Sequence, residues 1–232
     1  MEGERELEGQ VAFVTGGGRG VGAGIARELA AAGARHGTLV TAGVQTAGRG
    51  RQGRTWTAPP GSSLLLSLVL REWDDLLPLR AGLAVADVAG PAALVKWPND
   101  VLLDGRKVAG ILAEGRPQEG WIVLGIGVNA ALDVRDLPDE LRDVAGTLGR
   151  RPGELESVLA ELVAALDDRL AAPARDVLQA LRARDALLER GVAWAGGEGV
   201  GAGIDDVGRL LVRVGDGVVA LDAGEVHLRT AR

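Results

Sequence analysis

The stretch QTAGRGRQGRTWTAPPGSSLLLSLVLR, Gln45 to Arg71, decides how the rest of the chain is read. Its first half sets Arg49, Arg51 and Arg54 among Gly48, Gly50 and Gly53. Glycine lets a loop fold close around a ligand, and arginine supplies forked donors for phosphate or carboxylate. The expectation is a loop that closes over an anionic ligand, against the alternative of a solvated basic loop. The second half, SLLLSLVLR (Ser63–Arg71), is an aliphatic run of strand length, as a strand buried on both faces requires.

Working outward, GTLVTAGVQ (Gly37–Gln45) reads as a strand running into the arginine-glycine loop. LPLRAGLAVADVAG (Leu77–Gly90) spaces its apolar residues three and four apart, the pattern of a helix. ALVKWPNDVLLDGRKVAGILAE (Ala93–Glu114) predicts a strand, a Pro-Asn-Asp turn and a hairpin over Asp104-Gly105. GWIVLGIGVNA (Gly120–Ala130) is a further buried strand whose glycines permit close approach of a ligand or another backbone. GELESVLAELVAALDDRLAA (Gly153–Ala172) is an amphipathic helix broken at Pro173, and ARDVLQALRARDALL continues helical. Near Leu187 the composition turns to short β-rich runs between Gly and Asp turns. This predicts a boundary: a first domain over 1–186, with 1–25 as an atypical N-terminal segment, and a small all-β barrel over 187–232.

Composition narrows the chemistry. The chain has 232 residues, a net charge of −6, no cysteine and two histidines, His36 and His227, far apart in sequence. An acidic chain argues against nucleic-acid binding, which normally needs a basic face. The absence of cysteine excludes disulfides, thiolate nucleophiles and Cys-ligated metal, and no protein-held metal site is expected. There is no apolar run of membrane-spanning length and no signal-type apolar segment at the N-terminus, so a cytoplasmic protein is expected.

A second glycine-rich segment lies upstream, in VAFVTGGGRGVGAGIARELAAAGA (Val11–Ala34). It resembles the TGxxxGxG start of short-chain dehydrogenases, where a strand, a glycine turn and a helix hold a pyrophosphate. The context differs. The next strand ends in Gln45, where a dinucleotide site wants a ribose-reading residue. The chain also has no tyrosine for the Tyr-xxx-Lys pair of that family. The simpler reading is a glycine turn joining a strand to a packed helix.

Three blocks in order carry a different resemblance: QTAGRGRQGRTWTAPPGSSLLLSLVLR, KWPNDVLLDGRKVAGILAE (Lys96–Glu114) and VLGIGVN (Val123–Asn129). They closely resemble the signature blocks of biotin–protein ligases, and GVGAGIDDVGRLLVRVGDGVVALDAGEVHL resembles the small barrel that ends those enzymes. The resemblance spans about 26–229. It implies an α+β fold of class II synthetase type, a mostly antiparallel sheet with helices, plus a C-terminal SH3-like β-barrel. It implies that ATP with Mg²⁺ activates biotin to biotinyl-AMP, and that biotin is then transferred to a lysine of the biotin carboxyl carrier protein of acetyl-CoA carboxylase or a related carboxylase.

By the same resemblance Arg51 and Lys107 are the catalytic cations. Gln45, Arg49, Gly50, Arg51, Trp56, Lys107 and Gly110 would line the substrate site. Arg49, Arg51, Arg54, Asn99, Asp100 and Asn129 would meet the nucleotide. Each has a plainer alternative: Trp56 as a core anchor, Lys107 as a surface lysine, Asn99 and Asp100 as turn caps, Asn129 as a strand-end residue.

The family's Ser-Thr-Asn motif, whose side chains hold the ureido ring of biotin, aligns here with Val21-Gly22-Ala23-Gly24. Its hydrogen-bonding side chains are missing, and each lost partner costs about 1–3 kcal/mol. Only about 25 residues precede Ala26, so the DNA-binding helix-turn-helix of repressor-type ligases is not expected. Three functions follow in order: a biotin–protein ligase without DNA or membrane binding, a catalytically impaired nucleotide-binding relative, and an NAD(P)-dependent short-chain oxidoreductase. A lipoate ligase is a near neighbour of the first, and a homodimer is left open.

Overall fold

The computed structural model describes residues 11–14, 21–49 and 55–229. In chain order these form β1 (Val11–Val14), α1 (Val21–Ala31), β2 (Thr38–Ala42), β3 (Gln45–Arg49), β4 (Thr55–Ala58), β5 (Leu64–Leu70) and α2 (Leu77–Ala89). There follow β6 (Leu94–Lys96), β7 (Asp100–Leu103), β8 (Arg106–Arg116), β9 (Trp121–Val128), α3 (Asp139–Arg142), α4 (Leu155–Ala171) and α5 (Ala174–Ala183). The last elements are β10 (Gly191–Trp194), β11 (Gly197–Ile204), β12 (Leu210–Val214), β13 (Gly217–Leu221) and β14 (His227–Leu228).

The main sheet has seven strands in the order β1-β2-β5-β9-β8-β7-β6. β1 pairs parallel with β2, and every other pairing in it is antiparallel. A dinucleotide fold is built on a mostly parallel sheet, so the strand–helix start of the chain does not continue into one. The expected mixture of helices with a mainly antiparallel sheet is what is found.

The strands alternate between two faces. On one face Leu64, Leu66, Leu68 and Leu70 of β5 join Leu124, Ile126 and Val128 of β9 in a core with α2, α4 and α5. At about 25 cal/mol per Å² of apolar surface removed from water, this face carries most of the fold's stability. Arg80, almost fully buried on α2, fastens the helices together. It donates to the carbonyls of Arg169 and Ala172 at the end of α4 and pairs with Asp74 at 2.6 Å. The opposite face is covered at one end by α1, through Ala26 and Ala30 against Val40, Val69, Trp121 and Val123. Gly33, at φ +89°, follows the end of α1, and Arg71 donates to the carbonyls of Ala30 and Ala34.

Two details depart from the sequence reading. GTLVTAGVQ is not one strand: β2 ends at Ala42, and β3 restarts at Gln45 as one arm of a hairpin with β4. The C-terminal strands form a five-stranded antiparallel sheet in the order β13-β12-β11-β10-β14, and among the described residues no pairing joins its two outer strands into a closed barrel. The residues joining α5 to this sheet run alongside β6, with Val95 donating to Arg184 O and accepting from Ala186 N. Gly201 meets the same connection so closely that a Cβ there would lie 2.0 Å from Leu187 O. Leu187, Val192, Ile204, Leu210, Val212 and Val226 belong to the same apolar cluster as the main core.

Candidate active site

The face that α1 leaves open is lined by cross-strand partners, which share a face of the sheet. One row runs Ala42, Leu65, Gly127, Gly110, Asp100 and Lys96 across β2, β5, β9, β8, β7 and β6. The next starts under α1 at Val40 and runs on through Ser67, Gly125 and Leu112. With strands about 4.8 Å apart, the two glycines of the first row open a trough of roughly 14 Å between the strands of Leu65 and Asp100. Glycine in a central strand costs stability and supplies no contacts; here it leaves a floor on which a ligand can lie against backbone.

Cations stand at one end of the trough. Lys107 Nζ lies 2.6 Å from Asp100 Oδ1, and Lys96 Nζ lies 3.3 Å from Asp100 Oδ2. The hairpin over Asp104-Gly105 delivers Lys107 to this point. Both turn residues have positive φ, +51° and +74°, as the Asp-Gly pair predicts. The Lys107 backbone is clamped as well, its N–H donating to Val144 O and its carbonyl accepting from Gly146 N, each at 2.8 Å. Lys107 is about one-third exposed, against 15% for Lys96 and 16% for Asp100. It is the cation best placed to meet an incoming anion.

At the other end of the row β2 stops at Ala42, and the β3–β4 hairpin leaves the sheet. Gln45 pairs with Ala58, Gly48 with Trp56 and Arg49 with Thr55 along its backbone. Gly50, Arg51 and Arg54 lie outside the described residues, as do the side chains of Gln45, Arg49 and Trp56. Thr15 to Gly20 of the first glycine run is outside them too. The Val21–Gly24 stretch forms the first turn of α1.

The remaining predicted residues separate by what they touch. Asn99 Nδ2 donates to Ile111 O at 3.0 Å and its carbonyl accepts from Ile111 N, tying the Pro98 turn to β8. Asn129 is buried, and its amide donates to Gly146 O at 3.0 Å and Lys107 O at 3.5 Å. It therefore braces the backbone that carries Lys107. Trp97, in the same turn as Asn99, is buried and donates through Nε1 to Gly208 O of the C-terminal sheet region at 3.0 Å.

Sequence reasoning marked the glycines of β9 as points of close approach but passed over Lys96 and Ser67. A signal existed for both: Lys96 stands four residues before Asp100 across a turn, and Ser67 is the one polar residue in a run of aliphatics. Among the described residues no three His, Asp or Glu side chains gather as a metal site, and no helix is long and apolar enough to cross a membrane.

This arrangement, a glycine-floored trough with ammonium groups at one end and the backbone of the β3–β4 hairpin leaving at the other, suits an anionic ligand lying against backbone. Residues 26–129, which contain both ends of the trough, match the model of the biotin/lipoate A/B protein ligase family. The chain is 38% identical to the biotin–[acetyl-CoA-carboxylase] ligase of Mycobacterium tuberculosis, over 83% of this chain and 80% of that protein. It is 37% identical to the enzyme of the same name from Paracoccus denitrificans, over 81% and 88%. The bifunctional ligase/repressor BirA of Bacillus subtilis is 42% identical, but the match spans 56% of this chain and 43% of that longer protein. Among solved structures, biotin protein ligase from Aquifex aeolicus in complex with biotin and ATP superposes with a TM-score of 0.80 at 26% identity, covering 96% of this chain and 99% of that one. The chain belongs to the biotin/lipoate A/B protein ligase family.

Proposed function

We propose that the protein is a biotin–protein ligase, an ATP-dependent enzyme that forms biotinyl-AMP and passes biotin to a lysine of a biotin carboxyl carrier protein. The observation that carries this reading is the position of the Lys107 ammonium at the end of a glycine-floored trough, on a hairpin clamped on both sides. The relatives named as biotin ligases support it.

In the first step a carboxylate oxygen of biotin attacks the α-phosphorus of ATP, and pyrophosphate leaves with the electrons of the broken P–O bond. Two anions meet, so the step needs positive charge already in place. Lys107 would supply it from the sheet side, touching the biotin carboxylate and an α-phosphate oxygen. Arg49, Arg51 and Arg54 would supply it from the hairpin, which also shields the mixed anhydride from water. Gln45 and Trp56 would flank biotin, Gly50 and Gly110 would admit it close to backbone, and Asn99, Asp100 and Asn129 would form or brace the nucleotide end. In the second step the neutral amine of the carrier lysine attacks the acyl carbon, AMP leaves, and the amine loses a proton.

Magnesium fits as an ion brought by the nucleotide. It is commonly bound through substrate phosphates, and would be held there and not by Asp100, whose two oxygens already face ammonium groups. It would neutralise phosphate charge. The catalytic part would be 1–186, and 187–232 would correspond to the small SH3-like barrel of these enzymes. A cytoplasmic location, where carrier protein and ATP meet, completes the reading.

The test is biotin-dependent exchange of labelled pyrophosphate into ATP, followed by transfer of biotin to a carrier domain. Exchange and transfer together support the ligase. One observation favours a second reading, an impaired relative that binds nucleotide alone: the first turn of α1 holds Val21-Gly22-Ala23-Gly24 and offers no side-chain hydroxyl or amide to a ureido ring. ATP binding with neither exchange nor biotin binding would select it.

A further inference from the structure

Asp100 is shared between two lysines, one on each carboxylate oxygen. The pairs are unequal in setting. Lys96 and Asp100 are the enclosed partners, at 15% and 16% side-chain exposure, and Lys107 is the open one at 35%. The two enclosed residues are also locked in place. They are cross-strand partners in β6 and β7, and the turn between them is anchored by Asn99 to Ile111 and by Trp97 to Gly208. Lys107 reaches the same carboxylate from β8.

A substrate anion arriving at Lys107 must compete with Asp100 for one ammonium. An enclosed carboxylate that lost its only cation would be left uncompensated, at a cost that opposes substrate binding. A second ammonium on the other oxygen removes that difficulty. Resting on the reading of Lys107 as the cation that meets biotin carboxylate and α-phosphate, we propose that Lys96 is a positioning residue, the fixed counter-ion of Asp100 that frees Lys107 for the substrates. Asp100 then aims Lys107 in the resting enzyme and hands it over during adenylate formation. Lys96 never touches the substrates.

The proposal makes an unusual demand on mutants. Removing Lys96 alone leaves Lys107 held by an otherwise unpaired Asp100, so adenylate formation slows. Removing the Asp100 charge as well releases Lys107 again. The experiment is biotin-dependent pyrophosphate exchange in the full chain, with Lys96→Met, Lys96→Arg, Asp100→Asn and the double variant Lys96→Met/Asp100→Asn, thermal melts confirming that each is folded. Lys96→Met is expected to lower kcat for exchange about tenfold. Lys96→Arg is expected to restore most of it, and the double variant to be faster than Lys96→Met alone.

A double variant equal to or slower than Lys96→Met overturns the hand-over, because a merely structural Lys96 gives additive or worse losses. So does a Lys96→Met enzyme with unchanged kcat. Lys107→Gln is run beside them. If the wild type shows no biotin-dependent exchange, or Lys107→Gln exchanges as fast as wild type, the reading of Lys107 fails and the hand-over with it. Exchange that depends on Lys107 but shows no rescue removes the hand-over alone.

Discussion

The two faces of the main sheet use the same strands for opposite purposes. On β5 and β9, residues 64, 66, 68, 70, 124, 126 and 128 are aliphatic and pack against helices. The residues between them include Ser67, Gly125 and Gly127, and they look across to Gly110, Asp100 and Lys96. One face maximises buried volume; the other gives it up. A strand alternates its side chains between faces, so a single sequence run such as VLGIGVN can hold a core and a ligand floor at once. Damage to the first face should appear as lost stability, and damage to the second as lost binding or turnover with the fold intact.

The largest effect should come from the packed face. Leu124 is fully buried between sheet and helices, and Leu124→Ala is expected to cost about 2–5 kcal/mol of folding free energy, read by urea denaturation. If the loss is below 1 kcal/mol, this face does not carry the stability assigned to it. Next comes Lys107→Gln, which deletes the exposed ammonium at the trough's end. Loss of one preorganised charge of this kind lowers turnover by about a hundredfold. The melting temperature should stay near wild type, since the backbone clamp on Lys107 does not involve its side chain. Lys107→Arg should rescue poorly, because a planar fork does not replace a point charge.

Gly125→Val would sharpen the contrast. A Cβ at Gly125 meets Leu112 O at 3.4 Å, an ordinary contact, so the strand accepts the side chain and gains β-branched propensity. The variant should fold within about 1 kcal/mol of wild type. Its KM for biotin should rise about tenfold, because the floor is no longer flat against a ligand. Unchanged KM would place the ligand elsewhere.

Much of this was readable beforehand, for identifiable reasons. Asp104-Gly105 announced its hairpin because few other residue pairs adopt positive φ. The aliphatic run from Leu64 to Leu70 could only be a buried strand, and all of it is buried. The split of GTLVTAGVQ at Gly43-Val44 was hidden, because apolar character continues across it and only the departure of the hairpin from the sheet breaks it. The site was legible as residue types and not as a network. That Lys96 shares Asp100 with Lys107 depends on the antiparallel register of three strands, which no local pattern encodes. Asn129 was expected at the nucleotide by resemblance alone; that its amide also braces the backbone of Lys107 and Gly146 depends on contacts that no local pattern encodes.

A second aspartate tests the same logic where, among the described residues, no cation pairs with it. Asp185 stands beside β6, where the chain passes from α5 to the C-terminal sheet. Oδ1 accepts the Leu187 N–H at 2.8 Å, but Oδ2 is buried with no partner among the described residues. Burial pushes its carboxyl above the usual carboxylate range, against the opposing pull of the Leu187 and Leu188 N–H groups. Because the folded state holds this proton more tightly than the unfolded chain, ionised Asp185 lowers stability. The loss is fully present above the raised folded value and disappears as pH falls through that value to the ordinary carboxylate range. Asp185→Asn keeps the acceptor for Leu187 and removes the charge. It should raise stability by about 1 kcal/mol at pH 7, and the advantage should shrink in acid melts. An asparagine variant that is less stable at pH 7, or equally favoured at every pH, would mean that Asp185 is compensated in solution. Asp100→Asn has no such reason to stabilise the fold, since both of its oxygens already face ammonium groups. The two aspartates differ in one respect that matters here: Asp100, at the trough, was given two cations and can lend one, whereas Asp185, with one oxygen unpartnered, has none to lend.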